Sequence, residues 1–138
     1  MRLRGVLVGV AMLAAACSSR PAQQQVSAAH TILIDEAMLA RGGSDTIRLG
    51  RLHEGEILAY PLAFRNASQH ITFLREVERT CGCTTLELSR EPMVPESSRA
   101  ATLYFDSRGE WGWQLKLLKL HLEGGTEPLK LWVEAEIE

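Results

Sequence analysis

The feature that most constrains the fold is an alternation of apolar and polar residues, which runs through most of the chain from Asp45 onward. Successive side chains of a strand point to opposite faces of a sheet, so this period of two is typical of strands with one buried face. In the last segment, the residues predicted to point inward are Leu131, Val133, Ala135 and Ile137.

Turn signals divide the alternating region into short segments, at a spacing typical of β-sandwiches. Only residues 31–43 leave the type of element open, either a strand at 31–34 or a short helix ended by Gly42 and Gly43. We favour a strand followed by a helical turn or a loop. We therefore predict an all-β fold, an immunoglobulin-like β-sandwich of about seven strands, with a closed barrel as the alternative.

The N-terminus has the features of a bacterial signal peptide. Arg2 and Arg4 precede about a dozen apolar or small residues, fewer than the roughly twenty that a membrane-spanning helix needs. We predict a lipoprotein signal peptide over residues 1–16 and a lipidated N-terminus with a flexible linker over 17–29. A single domain then occupies residues 30–138.

Cys17 is the predicted site of lipidation. It ends the motif "LAAAC", which resembles a lipobox, in which the cysteine becomes the lipid-modified first residue of the mature protein. Ser18 carries no aspartate-type retention signal, so the expected location is the outer membrane of a Gram-negative bacterium, facing the periplasm. An ordinary secretory signal with a cysteine near its cleavage point is the alternative.

The charge balance narrows the classes of partner. The chain has 15 Lys and Arg against 17 Asp and Glu, a net charge of −2, and no basic cluster. This argues against nucleic acid and against electrostatic docking to anionic lipid. Signatures of phosphate loops, dinucleotide binding, zinc proteases and hydrolase elbows are absent from the sequence. The covalent lipid is thus the only cofactor predicted, and no catalytic residue is predicted.

Cys81 and Cys83 flank Gly82 and form either a disulfide or a pair of thiols. Glycine permits the tight turn that a bridge over one residue requires. Such a small ring would be strained and easily reduced, so a redox-active pair and two inert packed side chains both remain open. The four histidines are scattered and structural zinc usually takes four ligands, so no metal site is predicted.

Two surface features follow from the strand pattern. Pro61 lies within a predicted strand and cannot donate to a ladder, which predicts that the strand is at least partly an edge. The candidate edge for binding a partner by strand addition consists of Tyr60, Leu62, Phe64 and Asn66.

Trp111 and Trp113 are predicted to share a face, as a candidate platform for a partner or a sugar. We expect at least one indole to cover the core or the sheet end.

A leucine-rich segment predicts an irregular strand. Leu115 and Leu117 have odd residue numbers, whereas Leu118, Leu120 and Leu122 have even ones. In a straight strand these two sets face opposite sides of the sheet. We predict a β-bulge near Leu117 and Leu118, because one extra residue would bring both sets inward.

The segments "YPLAFRNAS", "VERTCGCTTLEL" and "ATLYFDSRGEWG" together resemble the domain-of-unknown-function family 1573, over roughly residues 45–137. The run from Cys81 to Thr84 is the most specific part of this resemblance. Glu96 departs from it, because the family places glycine after the proline at position 95. The resemblance implies an immunoglobulin-like fold and export, often as a lipoprotein, and it implies no activity.

These observations lead to two hypotheses of different class. The first is a lipid-anchored, non-enzymatic binding or structural module of the bacterial envelope, an accessory partner of another envelope protein. The alternative is a thiol–disulfide or metal-handling lipoprotein that uses Cys81 and Cys83.

Overall fold

A computed structural model describes residues 27–138 as a sandwich of two four-stranded sheets with one short helix. The elements in chain order are β1 His30–Ile34, α1 Glu36–Arg41, β2 Gly43–Leu52, β3 Ile57–Asn66, β4 Leu74–Arg79, β5 Thr84–Leu88, β6 Ser98–Asp106, β7 Gly112–Leu122 and β8 Leu129–Ile137. The all-β sandwich prediction is confirmed, with eight strands instead of about seven. The predicted signal peptide and Cys17 lie outside the described residues. Within 27–138, no helix has the length and apolar character to cross a membrane.

The strand order determines which segments connect the sheets. The first sheet has the order β1-β3-β6-β5 and the second has the order β2-β8-β7-β4. β1 runs parallel to β3 and β2 parallel to β8, while the other pairs are antiparallel. β4 and β5 are consecutive in the chain but lie at the edges of different sheets. The connection that contains both described cysteines therefore crosses from one sheet to the other.

The core lies between the inward faces of the two sheets. The four inward residues predicted for β8 are all buried, as are Phe64 on β3, Phe105 on β6 and Ile47 on β2. Removing a side chain of this size from water stabilises the fold by about 1.5–3 kcal/mol. The apolar residues of the alternating pattern thus lie on the buried faces of the strands.

The segment that the sequence left open forms a strand followed by a short helix. Asp35 caps α1 by accepting a hydrogen bond from the Met38 backbone N–H at 2.8 Å. Gly42 ends the helix with a φ of 71°, and a Cβ at this position would lie 2.9 Å from the Cβ of Glu127. Glycine is therefore required where the chain turns from α1 into β2.

The predicted bulge in β7 is wrong. β7 pairs with β8 in a continuous register from Gly112 opposite Ile137 to Leu120 opposite Leu129. Leu118 and Leu120 consequently point into the core, whereas Leu115 points outward and is 41% exposed. No extra residue is needed, because the outward leucines lie on the second sheet's outer face, where Leu117 is opposite Trp132.

The register shifts are in β2 and β4. In β2 the shift falls between Arg48 and Arg51, around Gly50, whose φ is 79°. Arg48 lies 3.9 Å from a carboxylate oxygen of Glu134, and Arg51 lies 3.7 Å from one of Glu136. The β2 edge of the second sheet is thus interrupted by a bulge between two arginines.

Candidate functional site

The predicted partner-binding edge on β3 is wrong for three of its four residues. Leu62 and Phe64 are buried because they point into the core, and Asn66 is buried too. The backbone of this stretch is paired on both sides, by β1 and by β6. Tyr60 is half-buried and packs against the core. The error has one source, the parallel pairing of β1 with β3, which covers the side of β3 that the sequence left free.

Only the first half of β3 keeps an open side among the described residues. The backbone carbonyl of Pro61 accepts a hydrogen bond from the Ala29 N–H at 3.0 Å, immediately before β1 begins. The N and O of one strand residue point to the same side, so the nitrogen of Pro61, which carries no hydrogen, faces the point where β1 starts. The proline thus lies where the ladder loses no bond.

Cys81 and Cys83 are joined by a disulfide that closes over Gly82, with a Cα–Cα distance of 5.2 Å. Both cysteines are half-buried, while Gly82 is exposed. Cys83 extends the β5–β6 ladder, because its carbonyl accepts a hydrogen bond from the Asp106 N–H at 2.8 Å. Its own N–H donates to Cys81 Sγ at 3.1 Å. Of the alternatives open from sequence, the structure contains the bridge.

A carboxylate and an ammonium group lie beside this disulfide. Glu110 Oε1 is 3.9 Å from Cys81 Sγ. The Nζ of Lys116 lies 3.2 and 3.3 Å from the two Glu110 oxygens. The side chains of Glu110 and Lys116 are only 21% and 18% exposed. The ion pair is therefore partly shielded from water at the end of the sandwich, where screening is weaker than on an open surface.

This pair was not predicted from the sequence. Glu110 follows β6 and stands 29 positions after Cys81, and Lys116 occupies an inward-pointing position of β7. In the sequence, the one indication of this pair was that Lys116 has an even number, like the inward-pointing leucines that follow it. The predicted bulge changed the expected direction of this side chain and so obscured the indication.

The disulfide state argues against a resident metal ion at this cluster. One ligand atom each from Cys81, Cys83 and Glu110 lies within 4.8 Å of the others. Metal ions bind thiolates, however, and neither sulfur of a disulfide is a thiolate. Three donors are also fewer than the four of a structural zinc site.

Cys83 and Gly82 also line a shallow hollow of about 320 Å³ with Ile57, Tyr104 and Glu87. The Tyr104 hydroxyl donates to Glu87 at 3.3 Å. The negative charge of Glu87 is the main cause that raises the pKa of Tyr104. Cys81 does not line this hollow. The two sulfurs thus have different surroundings, with a carboxylate beside Cys81 and an open concave surface beside Cys83.

A second carboxylate on the rim of the hollow is paired. The guanidinium of Arg108 hydrogen-bonds Asp106, with Nε 2.9 Å from Oδ1, and lowers the pKa of Asp106 to about 2. Arg108 therefore offsets the charge of Asp106, while Glu87 keeps its charge next to Tyr104.

Three large apolar side chains are exposed near the start of β7, and we call them the tryptophan surface. Trp111 is 67% exposed, Trp113 is 63% exposed and Leu115 is 41% exposed. Neither indole is therefore part of the core, whereas a role in covering the sheet end stays a prediction. Trp113 and Leu115 have the outward parity of β7, opposite Glu136 and Glu134 of β8.

Two sheets with inward alternation, linked by a connection that carries a disulfide, define a small β-sandwich domain. The chain belongs to the family described as protein of unknown function (DUF1573), whose model matches residues 41–137. The resemblance identified from the sequence is therefore confirmed. No curated protein matches the sequence.

Solved structures share the fold at low sequence identity. A protein of unknown function from Porphyromonas gingivalis W83 has a TM-score of 0.58 at 18% identity, over 67% of this chain and 44% of that chain. The VesB protease of Vibrio cholerae has a TM-score of 0.55 at 9% identity, over 67% of this chain and 30% of that chain. The chain spans less than half of either protein, and at these identities the likeness shows the fold alone.

Proposed function

We propose that the protein is a lipid-anchored, non-enzymatic binding module of the bacterial envelope, an accessory partner of another envelope protein. The observation that carries the proposal is the tryptophan surface, in which both indoles are more than 60% exposed and Trp113 shares the outward face of β7 with Leu115. Exposed patches of large apolar groups are characteristic of interaction sites. Tryptophan is also among the residues that contribute most to binding energy at interfaces.

The charges around the tryptophan surface favour a protein partner. Trp113 lies beside the pair of Arg51 and Glu136, and the pair of Arg48 and Glu134 is the next along the sheet. An apolar centre with a rim of both signs matches the usual composition of a protein interface. Anionic lipid and nucleic acid would instead favour a basic rim.

The membrane attachment in this proposal rests on the sequence. Cys17 would carry the lipid, and residues 17–29 would tether the domain to the outer membrane on its periplasmic side. Stable attachment needs more than one acyl chain, which a lipidated N-terminal cysteine supplies.

The anchor is tested by fractionation and by the mass of the mature protein. Wild type is expected in the membrane fraction, with a mass increase that corresponds to lipid on Cys17. The Cys17→Ser variant should lose both, whereas the matched control Ser18→Ala should keep them. A Cys17→Ser protein that stays in the membrane fraction would refute the anchor.

The binding surface is tested by photo-crosslinking in living cells. A photoreactive residue at position 113 or 115 should capture a reproducible envelope protein. The same residue at Gln69, exposed in the turn after β3, should not. Trp111→Ala with Trp113→Ala should lower the yield from position 115, while His121→Ala, farther along the same outward face, should leave it unchanged. Equal capture from Gln69 would contradict the assignment.

A further inference from the structure

We propose that Cys81, Cys83, Glu110 and Lys116 form a thiol–disulfide exchange centre that accepts electrons from a dithiol in an extended, neutral or cationic polypeptide segment. This activity goes beyond the binding role proposed above and does not depend on the lipid anchor or on the tryptophan surface.

The unequal surroundings of the two sulfurs distinguish the attacked sulfur from the leaving one. Exchange requires a thiolate to approach one sulfur along the axis of the S–S bond, on the side opposite the other sulfur. Cys83 lines the open hollow while part of its side chain packs against the core, and Cys81 does not line the hollow. The attack is therefore assigned to Cys83, from the side of the hollow. Cys81 is then the leaving sulfur.

The groups around Cys81 suit a leaving thiolate. The Cys83 N–H points at Cys81 Sγ from 3.1 Å and can stabilise negative charge as it develops there. The Glu110 carboxyl, 3.9 Å from the same sulfur, can exchange a proton with it. Lys116 offsets the charge of Glu110, so the thiolate does not form beside an unpaired carboxylate. Glu110 thus contacts the reacting sulfur, whereas Lys116 acts as a positioning residue.

The chemistry balances as two displacements. In the first, a substrate thiolate bonds to Cys83 Sγ, and the electron pair of the broken S–S bond goes to Cys81 Sγ. In the second, the other substrate thiolate displaces Cys83, which releases an oxidised substrate. Two electrons pass from the substrate dithiol to the protein, and the two substrate protons end on the thiols of Cys81 and Cys83. The same exchange, run backwards with an external disulfide, restores the bridge.

The hollow indicates the charge of the substrate. Its rim carries Glu87, whose charge has no basic partner among the described residues, and Asp106, which Arg108 offsets. A negatively charged thiol would be repelled there, whereas a neutral or cationic one would not. β5 is an edge strand of the first sheet and begins next to Cys83, where Arg79 donates to the Thr84 carbonyl at 3.0 Å. An extended segment can pair with β5 beyond Thr84 while its cysteine enters the hollow.

The first test compares small thiols on the mature protein in detergent. Cysteamine and mercaptoacetate, with rates normalised to thiolate concentration, supply a cationic and an anionic probe of similar size. Cysteamine should reduce the bridge about tenfold faster, and Glu87→Gln should narrow the difference. Equal rates in the wild type would overturn the substrate class. A bridge that resists excess cysteamine until the protein unfolds would overturn the proposal itself.

The second test identifies the attacked sulfur. Acid quenching, alkylation and peptide mass analysis of the early mixed disulfide should place cysteamine on Cys83. Cysteamine found mainly on Cys81 would reverse the assignment and refute it. A chain without lipid would show Cys17 as a third alkylated cysteine, so failure of the anchor and failure of the exchange centre are distinguishable.

The third test concerns the flanking charges. Glu110→Gln should slow reduction by on the order of tenfold or more with an unchanged unfolding midpoint, whereas Glu76→Gln, an exposed carboxylate on β4, should not. Lys116→Met should also slow exchange, and Lys116→Arg should restore it, which a purely structural effect would not predict. An unchanged exchange rate in a folded Glu110→Gln protein would refute its role. If Glu110→Gln unfolds, the position of the trapped cysteamine in wild type still decides the proposal.

Discussion

The two ends of the sandwich differ in what they present to solvent. At one end, where β3 finishes, Asn66, Ser68 and Thr72 are fully buried. The Asn66 amide donates to the carbonyls of His70 at 2.7 Å and Met93 at 2.9 Å. Its oxygen accepts from both the backbone N–H and the hydroxyl of Ser68, at 3.0 and 2.7 Å. All four bonding positions of one side chain are therefore used inside the fold.

At the other end, where β6 finishes and β7 begins, Ser107 and Thr84 are also buried, but several other groups reach the surface. The disulfide is half-buried, Trp111 and Trp113 are exposed, and Glu110 pairs with Lys116 next to a sulfur. The comparison shows that the closed end holds the chain together, whereas the open end presents groups that packing does not require. This contrast locates the proposed functions at the open end.

The largest expected effect is at the closed end. Asn66→Ala should lower the free energy of unfolding by about 3 kcal/mol, because it removes the four hydrogen bonds of a buried side chain and leaves the Ser68 backbone N–H without a partner. Urea denaturation measures the change, and Gln69→Ala in the same turn is the exposed control, expected within about 0.5 kcal/mol of wild type. Equal losses of unfolding free energy in the two variants would contradict the structural role that the comparison gives to the closed end.

A smaller loss is expected from the disulfide. Replacing both cysteines, as Cys81→Ser with Cys83→Ser, should cost less than about 2 kcal/mol, because a loop this short restricts the unfolded chain little. Denaturation of wild type with and without reductant should give a matching difference. A loss larger than that of Asn66→Ala would make the bridge a structural staple.

The tryptophan surface should contribute least to folding. Trp113→Ala is expected within about 0.5 kcal/mol of wild type, because the indole is 63% exposed. Leu118→Ala, on the inward face of the same strand, should cost roughly 2–5 kcal/mol. Thermal melts of the two variants measure the difference in stability between them. A comparable loss of stability in both would place Trp113 in the core.

The last prediction concerns the pH dependence of one ion pair at the open end. Its effect is measured as the pKa of Asp106 and not as a change in stability. The folded-state pKa of Asp106 is lowered from 3.8 to about 2 by Arg108, so the stabilisation by this pair is present above about pH 4 and is lost as the pH falls through 2. Arg108→Ala should return the Asp106 pKa to its ordinary range in an NMR titration, whereas Arg90→Ala should not. An unchanged low pKa would show that Arg108 is not its cause.

The strand pattern was predictable because burial repeats every second residue. The inward faces of β3 and β8 follow directly from the sequence, and so does the family, since Cys81-Gly82-Cys83-Thr84 is local. Glu96 replaces the family's glycine yet has a φ of 68°, so the turn keeps a glycine-like backbone.

Contacts between distant segments were not predictable in the same way. The parallel pairing of β1 with β3 joins residues 32 positions apart, such as Ile32 and Phe64, and no local pattern encodes it. The alternation of residues in β7 also did not reveal that leucines lie on the outer face of this strand. The carboxylate beside Cys81 depends on the end of β6 and the start of β7 meeting the β4–β5 connection, which only the assembled sandwich reveals.

The bulge in β2 has a consequence for how copies of the protein behave when crowded. A long, flat edge strand offers unpaired N–H and C=O groups on which a second copy can add a strand and begin aggregation. The register shift around Gly50, between two arginines, twists this edge and puts charged side chains on it. Strand addition along β2 is therefore opposed by backbone geometry and by the cost of covering charged groups, which favours solubility at high local concentration.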